Sequence, residues 1–138
     1  MRVLAADDDQ AVLKVLGRCL RRWGYEVMTA CDGTEAWRAL ESEDAPRLAV
    51  LDWDMPGLSG LEVCRRLRTM PHGEDVYVVM LTGRQAQTDL VEALEAGADE
   101  FLSKPFHPRE LELVLAKGVT FQTSRAAMAP PNVPSRSP

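Results

Sequence analysis

Cysteine is scarce and unpaired. The 138-residue chain has three, Cys19, Cys31 and Cys64, with no CxxC spacing, so neither a disulfide framework nor a zinc-type site is expected. An odd thiol count with no signal peptide fits a reducing cytoplasm, where the three read as small buried apolar side chains. Long hydrophobic runs are absent too. Asp7-Asp8-Asp9 arrives before an apolar leader can develop, and the longest strongly apolar stretch, Val76 to Leu81, has six residues, so no membrane segment is expected. A basic surplus is also lacking. Lys and Arg number 16 against 21 Asp and Glu, a formal net charge of −5, which argues against direct nucleic-acid binding and against a membrane-surface role. No GxGxxG or P-loop pattern supports a nucleotide site, and His72 and His107 read as surface residues far from other ligand types. What remains is a 46% hydrophobic, 27% charged chain, enough for one compact acidic domain.

Short apolar runs alternate with amphipathic stretches. Val3 to Ala6 reads as a strand buried on both faces, and Val12, Leu13, Leu16, Cys19, Leu20 and Trp23 recur at helical spacing before Gly24. Glu26 to Ala30 is a second strand; Thr34 is the expected cap of a second helix to about Glu41. Leu48 to Leu51 is the third strand. A loop with Pro56, Gly57 and Gly60 follows, and Ser59 caps a third helix with Leu61, Val63, Cys64 and Leu67 inward and Arg65, Arg66 and Arg68 outward. Val76 to Leu81 is the fourth strand, and a helix to about Ala96 turns Leu90, Ala93 and Leu94 inward. A fifth strand, Glu100 to Ser103, precedes a last helix from Pro108 through Lys117.

Five strands alternating with five helices predict an α/β, doubly wound, five-stranded parallel sheet, since five units are too few for a closed barrel. Right-handed crossovers in a sheet ordered 2-1-3-4-5 place the second, third and fourth helices on one face and the first and fifth on the other. Ligands of such sheets bind outside the carboxyl ends of the strands. Asp7 and Asp8 follow the first strand, Asp52 the third, Thr82 the fourth and Lys104 the fifth, so one rim collects them all. Clustered carboxylates repel and call for a compensating cation, and oxygen donors without His or Cys favour Mg²⁺ over Zn²⁺. The same set suits phosphoryl transfer: a carboxylate nucleophile, a hydroxyl, and cations for the charge on the transferred group.

Several segments together resemble the receiver domains of bacterial two-component response regulators. They are Val3 to Asp9, the Asp-Trp-Asp-Met-Pro-Gly-Leu-Ser-Gly-Leu-Glu run ending at Glu62, Val78 to Gly83, and Ala96 to Phe106 with Gly-Ala-Asp and Ser-Lys-Pro-Phe. The resemblance covers about residues 1–118. It supplies the 2-1-3-4-5 order of the flavodoxin-like receiver fold. It also implies Asp52 as phosphoacceptor, Asp7 and Asp8 as the acidic pair that holds Mg²⁺ with Asp52, Asp54 as a backbone-carbonyl ligand, and Thr82 and Lys104 as phosphoryl-sensing hydroxyl and cation. Phe101 falls at the switch aromatic, with plain core packing as the competing reading. Asp54 and Arg84 fall at the positions that tune phosphoryl lifetime and are expected to pair across the site entrance. A cis Lys104-Pro105 bond and a weakly capped last helix behind His107 are further expectations.

The implied partner is a histidine kinase or histidine phosphotransfer protein docking near the first helix, where Val12, Leu16, Arg18, Arg21 and Arg22 lie. The implied output surface is the fourth helix, fifth strand and fifth helix, with a homodimer through that face as an expectation. Chemistry would be limited to self-phosphorylation and self-dephosphorylation. Two alternatives stand beside this reading. Asp52-Trp53-Asp54 also resembles the nucleophile and acid of haloacid-dehalogenase-like phosphatases, although Pro56 departs from their pattern, and a receiver can serve as a phosphorylation-independent interaction module. Residues 119–138 carry Arg125 and Arg136, no acid, and a Pro- and Ser-rich end, the composition of a disordered tail or a truncated linker.

Overall fold

The structure is a computed structural model, and it describes residues 1–83 and 87–128. Its elements run β1 (Arg2–Ala6), α1 (Gln10–Arg22), β2 (Glu26–Ala30), α2 (Gly33–Glu41), β3 (Leu48–Asp52), α3 (Gly60–Arg68), a 3₁₀ turn (Gly73–Asp75), β4 (Tyr77–Thr82), α4 (Gln87–Glu95), β5 (Glu100–Ser103) and α5 (Pro108–Met128). All strand pairs are parallel, in the order β2-β1-β3-β4-β5.

Alternation along each strand sorts the core into two layers. Leu4, Ala6, Ala49, Leu51, Val78 and Met80 face α2, α3 and α4 through Ala36, Leu40, Leu61, Cys64, Leu67 and Ala93. Val3, Ala5, Leu48, Val50, Val79 and Leu81 face α1 and α5 through Leu13, Leu16, Leu20, Leu111, Val114 and Leu115. The central strands are buried on both sides, which is why their sequences are apolar runs without polar alternation.

Several local expectations change. The cap of α2 is Asp32, two residues before Thr34, because its Oδ1 accepts from Glu35 N at 2.7 Å. Leu90 and Leu94 are exposed at 37% and 51%, so α4 packs chiefly through Ala93. Arg68 does not lie outward. Its guanidinium donates to the carbonyls of Gly73, Val76 and Gly97 and pairs with Asp99 at 2.8 Å, joining α3 to the start of β4 and the turn before β5. His107 is itself a cap: Arg109 N donates to its Nδ1 at 3.0 Å and Glu110 Oε1 accepts from His107 N at 2.8 Å, so a ring nitrogen does the work usually given to a carboxylate or hydroxyl.

The largest difference is at α5, which continues past Lys117 to Met128. Residues 119–128 extend the helix because no Pro or Gly occurs between Gly118 and Pro130 and because Phe121 and Gln122 find partners at the N-terminal end of the sheet. Phe121 meets Tyr77 with ring centroids 5.6 Å apart, and Gln122 Nε2 donates to the carbonyls of Asp75 (2.5 Å) and Arg47 (3.0 Å) at the starts of β4 and β3. Arg125 and Arg47 both pair with Asp75. A chain ending at Lys117 loses the partly buried Phe121 and two amide hydrogen bonds, worth about 2–4 kcal/mol together, whereas the exposed ion pairs add little. Urea unfolding of proteins ending at Lys117 and at Met128 checks this; equal midpoints would show that residues 118–128 are dispensable.

Candidate functional site

Each rim residue stands where an apolar strand leaves the core. Asp7 N donates to Ala30 O at 3.1 Å, carrying the β1–β2 ladder one step past Ala6, and Asp9 turns the chain into α1 by accepting from Ala11 N and Val12 N. Asp9 N in turn donates to Asp7 Oδ1 at 2.9 Å. The third acid of the run is thus a helix cap and a brace for the first, a role that its Asp-then-helix position could have signalled. Asp7 is fully buried and Asp8 is exposed.

Asp52 ends β3 opposite Leu81, and Trp53 N continues the ladder by donating to Leu81 O at 2.9 Å. Thr82, fully buried, is the next residue of β4. Lys104 follows β5; its backbone N–H donates to Thr82 O at 2.6 Å, and the Lys104-Pro105 bond is cis, as expected. Its Nζ lies 2.9 Å from Asp7 Oδ2 and 3.0 Å from Asp52 Oδ1. Phe101 is half-buried opposite Met80 and packs on the core layer under α2, α3 and α4. Arg84 lies outside the described residues, as do residues 129–138 of the expected tail.

Asp7, Asp8 and Asp52 each offer a carboxylate oxygen within 4.8 Å of the others. Burial raises the Asp52 carboxyl to about 6; the Lys104 hydrogen bond opposes that rise and the charges of Asp7 and Asp8 add to it. Burial disfavours the charge on Lys104, but its bonds to Asp7 and Asp52 outweigh that, and its pKa is raised. With Asp52 ionised, three carboxylates face one ammonium, leaving about two negative charges uncompensated. An all-oxygen donor set with that deficit fits a hard divalent cation of the Mg²⁺ kind. His72, half-buried with Nε2 3.4 Å from Leu40 O, and exposed His107 take no part.

A carboxylate triad and a lysine on the C-terminal rim of a β2-β1-β3-β4-β5 parallel sheet define a doubly wound signalling domain of the chemotaxis-regulator type. The response regulator receiver domain model matches residues 3–116, and the chain belongs to that family of two-component systems. The haloacid-dehalogenase-like alternative falls with this match. Response regulator MprA of Mycobacterium leprae (strain TN) is 48% identical over 111 residues, covering 80% of this chain and 47% of the relative. The chain thus spans about half the length of the curated relatives it matches. A putative response regulator from Chloroflexus aurantiacus J-10-fl superposes with a TM-score of 0.80 at 33% identity, covering 86% of this chain and 97% of the other. The receiver domain of a sensor histidine kinase from Pseudomonas aeruginosa PAO1, with a magnesium ion coordinated in its active-site cleft, gives 0.79 at 29% identity over 86% and 97%. Among the described residues no helix is long and apolar enough to cross a membrane.

Proposed function

We propose that the domain accepts a phosphoryl group on Asp52 from the phosphohistidine of a histidine kinase or phosphotransfer protein in the cytoplasm, and that the new charge alters its α4-β5-α5 face. The observation that carries this reading is Lys104 Nζ bridging Asp7 and Asp52 on the rim, beside the buried Thr82. An Asp52 carboxylate oxygen forms the bond to phosphorus as the phosphorus–nitrogen bond breaks, and the histidine leaves with the electron pair of that bond. Asp7, Asp8, Asp52 and the backbone carbonyl of Asp54 would hold Mg²⁺, which supplies charge neutralisation at the phosphoryl oxygens. Lys104 exchanges its contact with Asp52 for a phosphoryl oxygen, and the Thr82 hydroxyl donates to another.

Phe101 is the packing element that follows Thr82 in this reading. On the output face, Leu90, Val91 and Leu94 of α4 and Leu113 of α5 are exposed apolar side chains, and a second copy of the chain is the expected homodimer partner there. Asp54 and Arg84 set the phosphoryl lifetime by guarding access of water to the acyl phosphate. The intact set of Asp7, Asp8, Asp52, Thr82 and Lys104 favours this function over a phosphorylation-independent interaction module, which would have no need of it.

The test is uptake from acetyl phosphate, read by intact-protein mass spectrometry. One phosphoryl group is expected, dependent on Mg²⁺, with the rate falling at acid pH because a proton on Asp52 removes both the nucleophile and a metal donor. No uptake at any pH between neutrality and the Asp52 pKa would sink the reading.

A further inference from the structure

Next to Asp7, whose N–H bonds the end of β2, begins a turn that the phosphoacceptor chemistry does not itself use, the start of α2. Glu35 N donates to the cap Asp32 Oδ1 at 2.7 Å, while Glu35 Oε1 reaches one residue further back and accepts from Cys31 N at 2.7 Å. The Cys31 thiol donates to the same oxygen at 3.3 Å. The residue before it, Ala30, accepts from Asp7 N. The turn is therefore fixed to the strand end that carries the pocket's buried acid.

From that fixed turn two residues reach the loop after Asp52. Gly33 N donates to Pro56 O at 3.1 Å, and a Cβ on Gly33 would lie 1.7 Å from Leu58 O, so only glycine permits the approach. Gly57, at φ +83°, lies against Thr34, whose Oγ1 would be 2.6 Å from a Cβ on Gly57. On the opposite side Gly60 N donates to Trp53 O at 2.8 Å, and a Cβ on Gly60 would lie 2.2 Å from Asp52 O. The segment from Trp53 to Ser59 is thus held between α2 and the start of α3 by close backbone contacts, with Asp52 and Asp54 at its root.

We propose that Gly33 and Thr34 are positioning residues: the first turn of α2 holds the Asp52–Ser59 loop so that the acidic pocket is preorganised for a divalent cation. This rests on the phosphoacceptor reading of the pocket. Both residues act on the loop backbone and touch neither the cation nor the phosphoryl group. Preorganisation of this kind shows in metal affinity as well as in turnover, because misplacing the loop spreads the donors.

The experiment is calorimetric titration of Mg²⁺ into the 138-residue protein and its variants. Gly33→Ala is expected to weaken binding about tenfold, in the range typical for supports of metal ligands. The control is Gly73→Ala at the opposite end of the sheet, where a Cβ would lie 1.6 Å from Leu67 O. It is expected to lose stability comparably and to bind Mg²⁺ as wild type does. Wild-type affinity in folded Gly33→Ala overturns the proposal, and so does an equal loss in Gly73→Ala. Should Gly33→Ala fail to fold by circular dichroism, Thr34→Ala removes the contact with Gly57 without adding atoms; about threefold weaker binding supports the proposal and unchanged binding overturns it. A wild-type protein that binds no Mg²⁺ overturns the phosphoacceptor reading instead, so the first titration separates the two failures.

Discussion

Asp52→Asn will take up no phosphoryl group from acetyl phosphate and Mg²⁺, and at neutral pH it will be more stable than wild type. The loss follows from replacing the carboxylate nucleophile with an amide of nearly the same shape. The gain follows from the pKa. Burial lifts the folded Asp52 carboxyl from 3.8 to about 6. A raised carboxyl contributes stability that is fully present below pH 3.8 and is lost as pH rises through about 6, so at pH 7 the ionised form costs the fold on the order of 2 kcal/mol. The neutral amide avoids that cost. Urea unfolding at pH 7 should show the variant ahead, with the gap closing as pH falls from about 6 to 3.8, because wild type then carries a protonated, neutral carboxyl at the same place. Mg²⁺ should narrow the gap from the other side by stabilising only the protein that retains the full donor set. A variant that still acquires a phosphoryl group would place the acceptor elsewhere. A variant no more stable at pH 7 would mean that Lys104 compensates Asp52 fully.

The residues behind that prediction were legible from the sequence because a parallel sheet converts a simple pattern into a place. Each of Val3–Ala6, Leu48–Leu51 and Val76–Leu81 is apolar throughout, so each must be a strand covered on both faces, and whatever polar residue follows must lie on the common rim. Asp7, Asp52 and Thr82 needed no further information. Contacts between segments distant in the chain were not legible in this way. Arg68 shares the outer-face composition of Arg65 and Arg66, yet its guanidinium meets carbonyls 5, 8 and 29 residues away, and periodicity has no access to such partners. Leu90 and Leu94 look like core residues by type and spacing, but on α4 it is Ala93 that enters the core layer while both leucines stay exposed. Residues 119–128 look like a tail by their lack of acids, and they extend α5 along the fold because Tyr77 and the carbonyls of Arg47 and Asp75, just before β3 and β4, receive them.

Lys104→Ala separates two functions that one side chain serves in the resting pocket, and it is expected to leave Mg²⁺ binding intact or tighter while slowing phosphoryl uptake on the order of a hundredfold. In the resting protein Nζ occupies an oxygen of Asp7 and one of Asp52, both members of the carboxylate cluster. A lysine there competes with a cation for the same donors, so its removal frees them and deepens the negative charge that attracts a divalent ion. Transfer needs a positive group on the phosphoryl oxygens as charge spreads over them, and the metal alone covers only part of that demand. The pH profile supplies a second signature. Lys104 opposes the burial that raises the Asp52 pKa, so without it that pKa climbs further, and the acid-side fall in uptake is expected to move to higher pH than in wild type. The variant is also expected to unfold more easily, because Asp7, fully buried, loses its ammonium partner. Rapid-quench measurement of uptake between pH 5 and 8, beside a Mg²⁺ titration of the same protein, distinguishes the cases. Uptake and affinity falling together would make Lys104 a support for the metal site; uptake falling alone, with the profile displaced upward, assigns it to the transferring group.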